Sequence, residues 1–143
     1  MAKAKPDFQE PVNPKRSKMM ASIGQRGTKP EMIVRRICHS LGYRYRLHVK
    51  TLPGSPDLVF PRLKKIVFVH GCFWHRHANC SRTTIPKTRT AFWEKKFADN
   101  VSRDERQVSE LCAHGWQVLI VWECETKEQL SLREKLVRFL DGK

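Results

Sequence analysis

The segment His70-Gly71-Cys72-Phe73-Trp74-His75-Arg76-His77-Ala78-Asn79-Cys80 packs three imidazoles and two thiols into eleven residues. It directly follows Lys65-Ile66-Val67-Phe68-Val69, an apolar β-type run, and should therefore leave the end of a strand. Nitrogen and sulfur donors this close together are what a small tetrahedral metal site needs. Imidazoles in the same place can also carry protons. Cys72 and Cys80 flank His77, and Cys124 lies two residues beyond Trp122, past the end of a second apolar run. If the two runs are neighbouring strands, Cys124 arrives at the same sheet edge as Cys72. Cys72, His77, Cys80 and Cys124 then form a Cys3His set, the donor set of a closed structural zinc site. Each Cys taken alone reads as a small buried hydrophobe.

Pro56-Asp57 opens a further candidate strand, Asp57–Phe60, and β propensity disfavours Asp at a strand start. An Asx turn explains a lone Asp of this kind. Pairing this strand with the next as a hairpin would instead bring Asp57 near His70 and His75. A carboxylate with adjacent imidazoles in a basic protein suits phosphodiester cleavage assisted by Mg2+, which takes hard oxygen ligands and stabilises charge on the attacking and leaving oxygens. Phe73-Trp74 is awkward as core within a metal-pinned loop and reads as a wedge that unstacks bases. Met19 and Met20 are a second wedge candidate, with core filling as the alternative. Trp93, at helical spacing from Phe97, reads as core.

These residues need elements to position them. Residues 1–14 carry three prolines and little periodicity, and are expected to form a flexible basic arm, leaving 15–143 as a single domain. Lys15–Ile23 is expected as a short helix. Thr28-Lys29-Pro30-Glu31 marks a helix start, with Thr28 as N-cap, Pro30 in the first turn and Glu31 at the third position of a capping box. Ile33, Ile37 and Leu41 continue the stripe until Gly42. Tyr43–Val49, Asp57–Phe60 and Lys65–Val69 are candidate strands. A long helical region follows from about Thr90 to His114, with a break near Asn100, and Gly115 ends it. Trp116–Trp122 (WQVLIVW) reads as a strand buried on both faces, and Leu132–Leu140 as an amphipathic helix. Cys38 and Cys112 are expected in the core. The order α-β-β-β-α-β-α predicts an α/β fold, a mixed sheet flanked by helices.

Net charge is +14 over 143 residues, and residues 1–50 hold 12 Lys/Arg against 3 acids, so the excess is concentrated towards the N-terminus. Such a surface suits a polyphosphate partner, because each neutralised phosphate releases counterions. A membrane partner is not expected, since no apolar stretch approaches ~18 residues. Five cysteines with no signal-peptide apolar region point to a reducing cytosol, where clustered Cys reads as metal-binding rather than disulfide.

Pro53-Gly54-Ser55-Pro56-Asp57, Val69-His70-Gly71-Cys72-Phe73-Trp74-His75-Arg76-His77, Thr88-Arg89-Thr90-Ala91-Phe92-Trp93 and Val121-Trp122-Glu123-Cys124 together resemble the very-short-patch repair (Vsr) endonuclease family, over roughly Arg16 to Cys124. The resemblance implies a restriction-endonuclease-like αβββαβ core. It implies a monomer in the bacterial cytoplasm, associated with the nucleoid, that acts on mismatched double-stranded DNA. The activity implied is a Mg2+-dependent nick of one strand 5′ to the thymine of a T:G mismatch, the product of 5-methylcytosine deamination. Asp57 matches the family's metal-binding aspartate, and the backbone carbonyl of Val69 would share the Mg2+. Glu31 matches an N-terminal catalytic glutamate, His70 and His75 the active-site histidines, and Asn100 a DNA-contacting asparagine. Cys72, His77, Cys80 and Cys124 match the zinc ligands, and Met20, Phe73, Trp74 and Trp93 the residues that intercalate beside the mismatch. There are departures: Val69 replaces a Thr, and one residue more separates His77 from Cys80 than the family's usual His-x-Cys. The superfamily's E-x-K lysine is absent after Asp57, as it is in the Vsr family, which leaves His75 for proton transfer. Two other readings stand beside this one: a Vsr-like nuclease of different mismatch or sequence specificity, and a non-catalytic zinc-stabilised DNA-binding module.

Overall fold

The computed structural model describes residues 28–142. Helix α1 (Lys29–Ser40) begins where the sequence places it, with the Thr28 side chain accepting the Glu31 N–H at 3.4 Å and Pro30 inside the first turn. Gly42, at φ +86°, turns the chain out of it. Strands β1 (Arg46–Leu47), β2 (Leu58–Phe60), β3 (Lys65–His70) and β4 (Gln117–Trp122) form one sheet in the order β1-β2-β3-β4. The first three are antiparallel neighbours. β4 runs parallel to β3, as it must after a long crossover, which holds the one-turn α2 (Cys72–His75) and the long α3 (Thr90–Ala113). A 3-10 turn (Glu123–Lys127) and helix α4 (Gln129–Asp141) close the described chain.

The two faces of the sheet read directly off strand alternation. Leu58, Phe60, Val67 and Val121 face Val34, Ile37 and Cys38 of α1 and Leu132, Leu136 and Leu140 of α4. Val59, Ile66 and Phe68 face the opposite way, onto Leu111 of α3. This is the mixed sheet flanked by helices that the pattern predicts. Lys65, although charged, is buried because its ammonium donates to the carbonyls of Phe139, Leu140 and Gly142, capping the C-terminus of α4. In the loop before β2, Gly54 (φ +78°) has no room for a side chain, since a Cβ there would meet Gln107 of α3 at 2.7 Å. That close approach fixes the chain leading into Asp57.

Four expectations are corrected. The first strand shortens to Arg46–Leu47 because His48 takes a left-handed φ of 48°, although its N–H still donates to the Asp57 carbonyl at 3.2 Å. β4 is the end strand among the described residues, paired on one side only, so of the apolar run just Val121 is fully buried. α3 continues unbroken through Asn100. Cys112 is exposed, because its neighbour Leu111 takes the core-facing position and adjacent helical residues cannot share a face. Cys38 is fully buried, which pushes its thiol up to about 12. The arm at 1–14, the helix at Lys15–Ile23 and Met19-Met20 lie outside the described residues. Among the described residues no helix is long and apolar enough to cross a membrane.

Candidate active site and metal centre

The parallel register of β3 and β4 sets His70 opposite Trp122, so both chains leave the sheet at the same edge. There α2 makes a single turn, Arg76 reverses the chain in a left-handed conformation (φ 56°), and the His77 N–H returns to the Cys72 carbonyl at 3.0 Å. The 3-10 turn brings Cys124 in from the neighbouring strand. His77 Nδ1 lies 3.7 Å from Cys72 Sγ and 3.4 Å from Cys124 Sγ, and with Cys80 the four donor atoms lie within 4.8 Å of one another. Asn79, also left-handed, absorbs the extra residue before Cys80. Burial pushes the Cys72 thiol up to about 12, while a backbone hydrogen bond from Arg82 lowers that of Cys80. Three sulfurs and one imidazole nitrogen in this space could hold a soft or borderline metal ion, which would stabilise the thiolates that burial disfavours.

The other two histidines of the segment turn away from this cluster. His70, at the end of β3, stacks on His75, at the end of α2, with ring centroids 3.8 Å apart and planes 9° from parallel. His75 Nδ1 pairs with Asp104 Oδ2 of α3 at 2.6 Å, and Arg103 lies 3.8 Å from the other Asp104 oxygen. Fixing Nδ1 in this way leaves Nε2 as the nitrogen available for proton exchange. Burial, with His75 and Arg103 adding to it, holds His70 well below the ordinary histidine range, so it is neutral at pH 7. Its Nδ1 is buried without a hydrogen-bond partner among the described residues.

The carboxylate grouped with this histidine pair is Asp104, and Asp57 is grouped with Glu31 and His48. Asp57 Oδ2 accepts the Val69 N–H at 2.7 Å, and Oδ1 lies 3.9 Å from His48 Nε2. That nitrogen is 3.1 Å from each Glu31 oxygen. Burial raises the Asp57 carboxyl to about 6 against the pull of the Val69 hydrogen bond, and Glu31 adds to the rise. Val69 joins the two groups, since its amide anchors Asp57 and its successor is His70. Carboxylate oxygens gathered at a buried point fit a hard divalent cation, which would favour the charged Asp57 that burial opposes.

Residues 7–82 match the family described as DNA mismatch endonuclease Vsr. The chain is 44% identical over 131 residues to the type II nicking enzyme V.XorIIP of Xanthomonas oryzae pv. oryzae, covering 91% of this chain and 96% of that one. It is 43% identical to the type II nicking enzyme V.NmeAIP of Neisseria meningitidis serogroup A, covering 88% and 89%. It is 41% identical to the DNA mismatch endonuclease Vsr of Escherichia coli K12, covering 89% and 84%. The chain belongs to the Vsr family.

In this Vsr-family chain the aromatic residues form one cluster on the first turns of α3. Phe73 meets Trp74 and Phe97 edge-on at 5.2 and 5.1 Å, and Trp93 lies beneath, 5.9 Å from Trp74 and 4% exposed. Arg76 stacks over Phe97 at 3.9 Å and donates to the carbonyls of Phe73 and Thr84. Buried Asn100 donates to the Trp74 carbonyl at 3.2 Å. Trp93, Phe97, Asn100, Asp104 and Leu111 share one face of α3, so Asn100 and Asp104 are polar insertions in an apolar stripe. That interruption was the available signal for Asp104, which sequence reasoning missed. His48 was missed too, and its signal is weaker: a histidine in a strand-like run says nothing of the helix packed against it.

Proposed function

We propose that this DNA endonuclease nicks one strand of duplex DNA 5′ to the thymine of a T:G mismatch in very-short-patch repair, acting as a monomer with a restriction-endonuclease-like core. The observation that carries the reading is the Asp104–His75–His70 array beside Val69, whose amide holds Asp57. It combines a proton-transfer group and a cation site at one sheet edge. A non-catalytic DNA-binding module would leave both idle.

Asp57, with Glu31 and the Val69 carbonyl, would hold Mg2+, which supplies charge stabilisation at the scissile phosphate when bound. His75, oriented by Asp104, takes the proton of the attacking water at Nε2. Neutral His70 contacts the phosphate from the stacked ring, and Arg103 adds positive charge alongside. Cys72, His77, Cys80 and Cys124 would hold zinc, which pins the loop that presents Phe73 and Trp74. Those two side chains wedge beside the mismatch, with Met20 from the N-terminal segment, and Trp93 joins them once the cluster on α3 opens. Asn100 keeps the Trp74 backbone in place and flanks the DNA. The +14 charge supports duplex binding, and reduced thiols with a DNA substrate suit a bacterial cytoplasm at the nucleoid. The type II nicking enzymes among the relatives leave a Vsr-like nuclease of other mismatch or sequence context as the second reading.

The test is a nicking assay on end-labelled duplexes carrying each mismatch in varied flanking sequence, with Mg2+ or EDTA. Cleavage of the thymine strand of T:G alone is expected, and it should be lost in EDTA. Asp57→Ala should abolish nicking and retain duplex binding; undiminished cleavage by that variant would overturn the active-site assignment.

A further inference from the structure

His48 is the member of the Glu31–His48–Asp57 cluster to which the mechanism above gives no role. Its side chain is 11% exposed and that of Glu31 is 3% exposed. The Val69 amide occupies Asp57 Oδ2, so Oδ1 is the oxygen that looks toward His48. The chain holds His48 in a left-handed conformation that side chains with a Cβ rarely adopt, and ties its N–H to the Asp57 carbonyl. Such conformations persist only where the surroundings over-determine them. The result is one imidazole nitrogen and two carboxylates converging within 4.8 Å. A small divalent cation bonded at about 2.1 Å reaches donors about 3 Å apart in adjacent positions and about 4.2 Å apart in opposite ones. The separations of 3.1 and 3.9 Å fall in that range. Oxygen donors alone favour Mg2+, whereas an added imidazole favours borderline transition metals.

We propose that His48 Nε2 is a direct ligand of the divalent cation held by Glu31 and Asp57, so that this site takes a borderline transition-metal ion such as Mn2+ in preference to Mg2+. The proposal rests on the reading of Asp57 as a cation ligand, and it changes which ion the site prefers. A histidine that merely ion-paired with the two carboxylates would act in the opposite direction, since it would compete with any cation.

The experiment uses the full-length, zinc-loaded protein without DNA. Mn2+ binding is followed by electron paramagnetic resonance, Mg2+ by competition, and directly bound nitrogen by 14N modulation of the Mn2+ spin echo. Wild type should bind Mn2+ at least about tenfold more tightly than Mg2+ and show 14N modulation. His48→Gln should weaken Mn2+ about tenfold or more, leave Mg2+ nearly unchanged and lose the modulation. Absence of 14N modulation in the wild type overturns the proposal without recourse to any variant. So does a His48→Gln protein that keeps the modulation or binds both ions more tightly. Asp57→Ala with wild-type Mn2+ binding would instead remove the underlying reading, and the proposal with it. Loss of binding in Asp57→Ala while His48→Gln matches the wild type overturns the proposal alone.

Discussion

At the residue scale, His75 is set to work by Asp104. The 2.6 Å pairing holds the ring by Nδ1 and stabilises the imidazolium that forms when Nε2 takes a proton. Asp104→Asn keeps the shape and removes the charge, so it should lower the single-turnover nicking rate by about 10^2 to 10^4 while leaving the duplex dissociation constant unchanged. Equal losses in rate and binding would show that Asp104 merely holds up the loop. Asp57 carries a second prediction, about stability. Its carboxyl is raised from an ordinary 3.8 to about 6, so between these values the folded chain binds more protons than the unfolded one. The fold therefore loses stability as pH rises from about 4 to about 6, by about 3 kcal/mol for this group. Without added divalent cation, Asp57→Asn should raise the melting temperature over wild type at pH 8 and leave it nearly unchanged at pH 4. A gap independent of pH would mean the carboxyl titrates normally. His70 has the opposite sign: held neutral, it costs stability as pH falls below about 6.5, where the unfolded imidazole takes up a proton.

At the element scale, β3 and β4 deliver Cys72 and Cys124 to one edge, and the 3-10 turn and α2 bend both chains inward. Trp122 lies between the two sites, stacked on His77 at 4.3 Å and edge-on to His70 at 5.4 Å. The metal centre therefore backs directly onto the histidine pair. Wild type should carry about one zinc per chain, the stoichiometry of a closed four-ligand site. Cys72→Ser should lose it and alter the tryptophan emission of the Phe73-Trp74 loop. Metal analysis finding no zinc in the wild type would remove the structural role. Helix α3 contributes differently, placing Asn100 and Asp104 on successive turns beneath the loop, one holding the Trp74 carbonyl and the other His75. An unbroken helix is required for this, and a break at Asn100 would separate the two.

At the scale of the whole molecule, charge governs the encounter with DNA. With +14 overall, duplex affinity should fall steeply with salt, log K declining by about 0.9 per phosphate neutralised against log salt. A slope near zero would mean that the basic excess does not face the duplex. The sequence by itself determined the chemistry and the sheet that bears it. Alternation and apolar runs marked β3 and β4, the Thr28 cap and Gly42 bounded α1, and the spacing of Cys72, His77, Cys80 and Cys124 carried a metal-ligand set, because these signals are local or depend on one strand pairing. Tertiary structure decided the company each catalytic group keeps. His75 meets Asp104 because α3 packs under the loop, and Asp57 meets His48 because α1 brings Glu31 over a strand cut short by a left-handed residue. Trp93 lies under Phe73 and Trp74 for the same reason. Such contacts depend on how helices seat against the sheet, and the seating is fixed by the packing of many side chains at once, which no single stretch of sequence encodes.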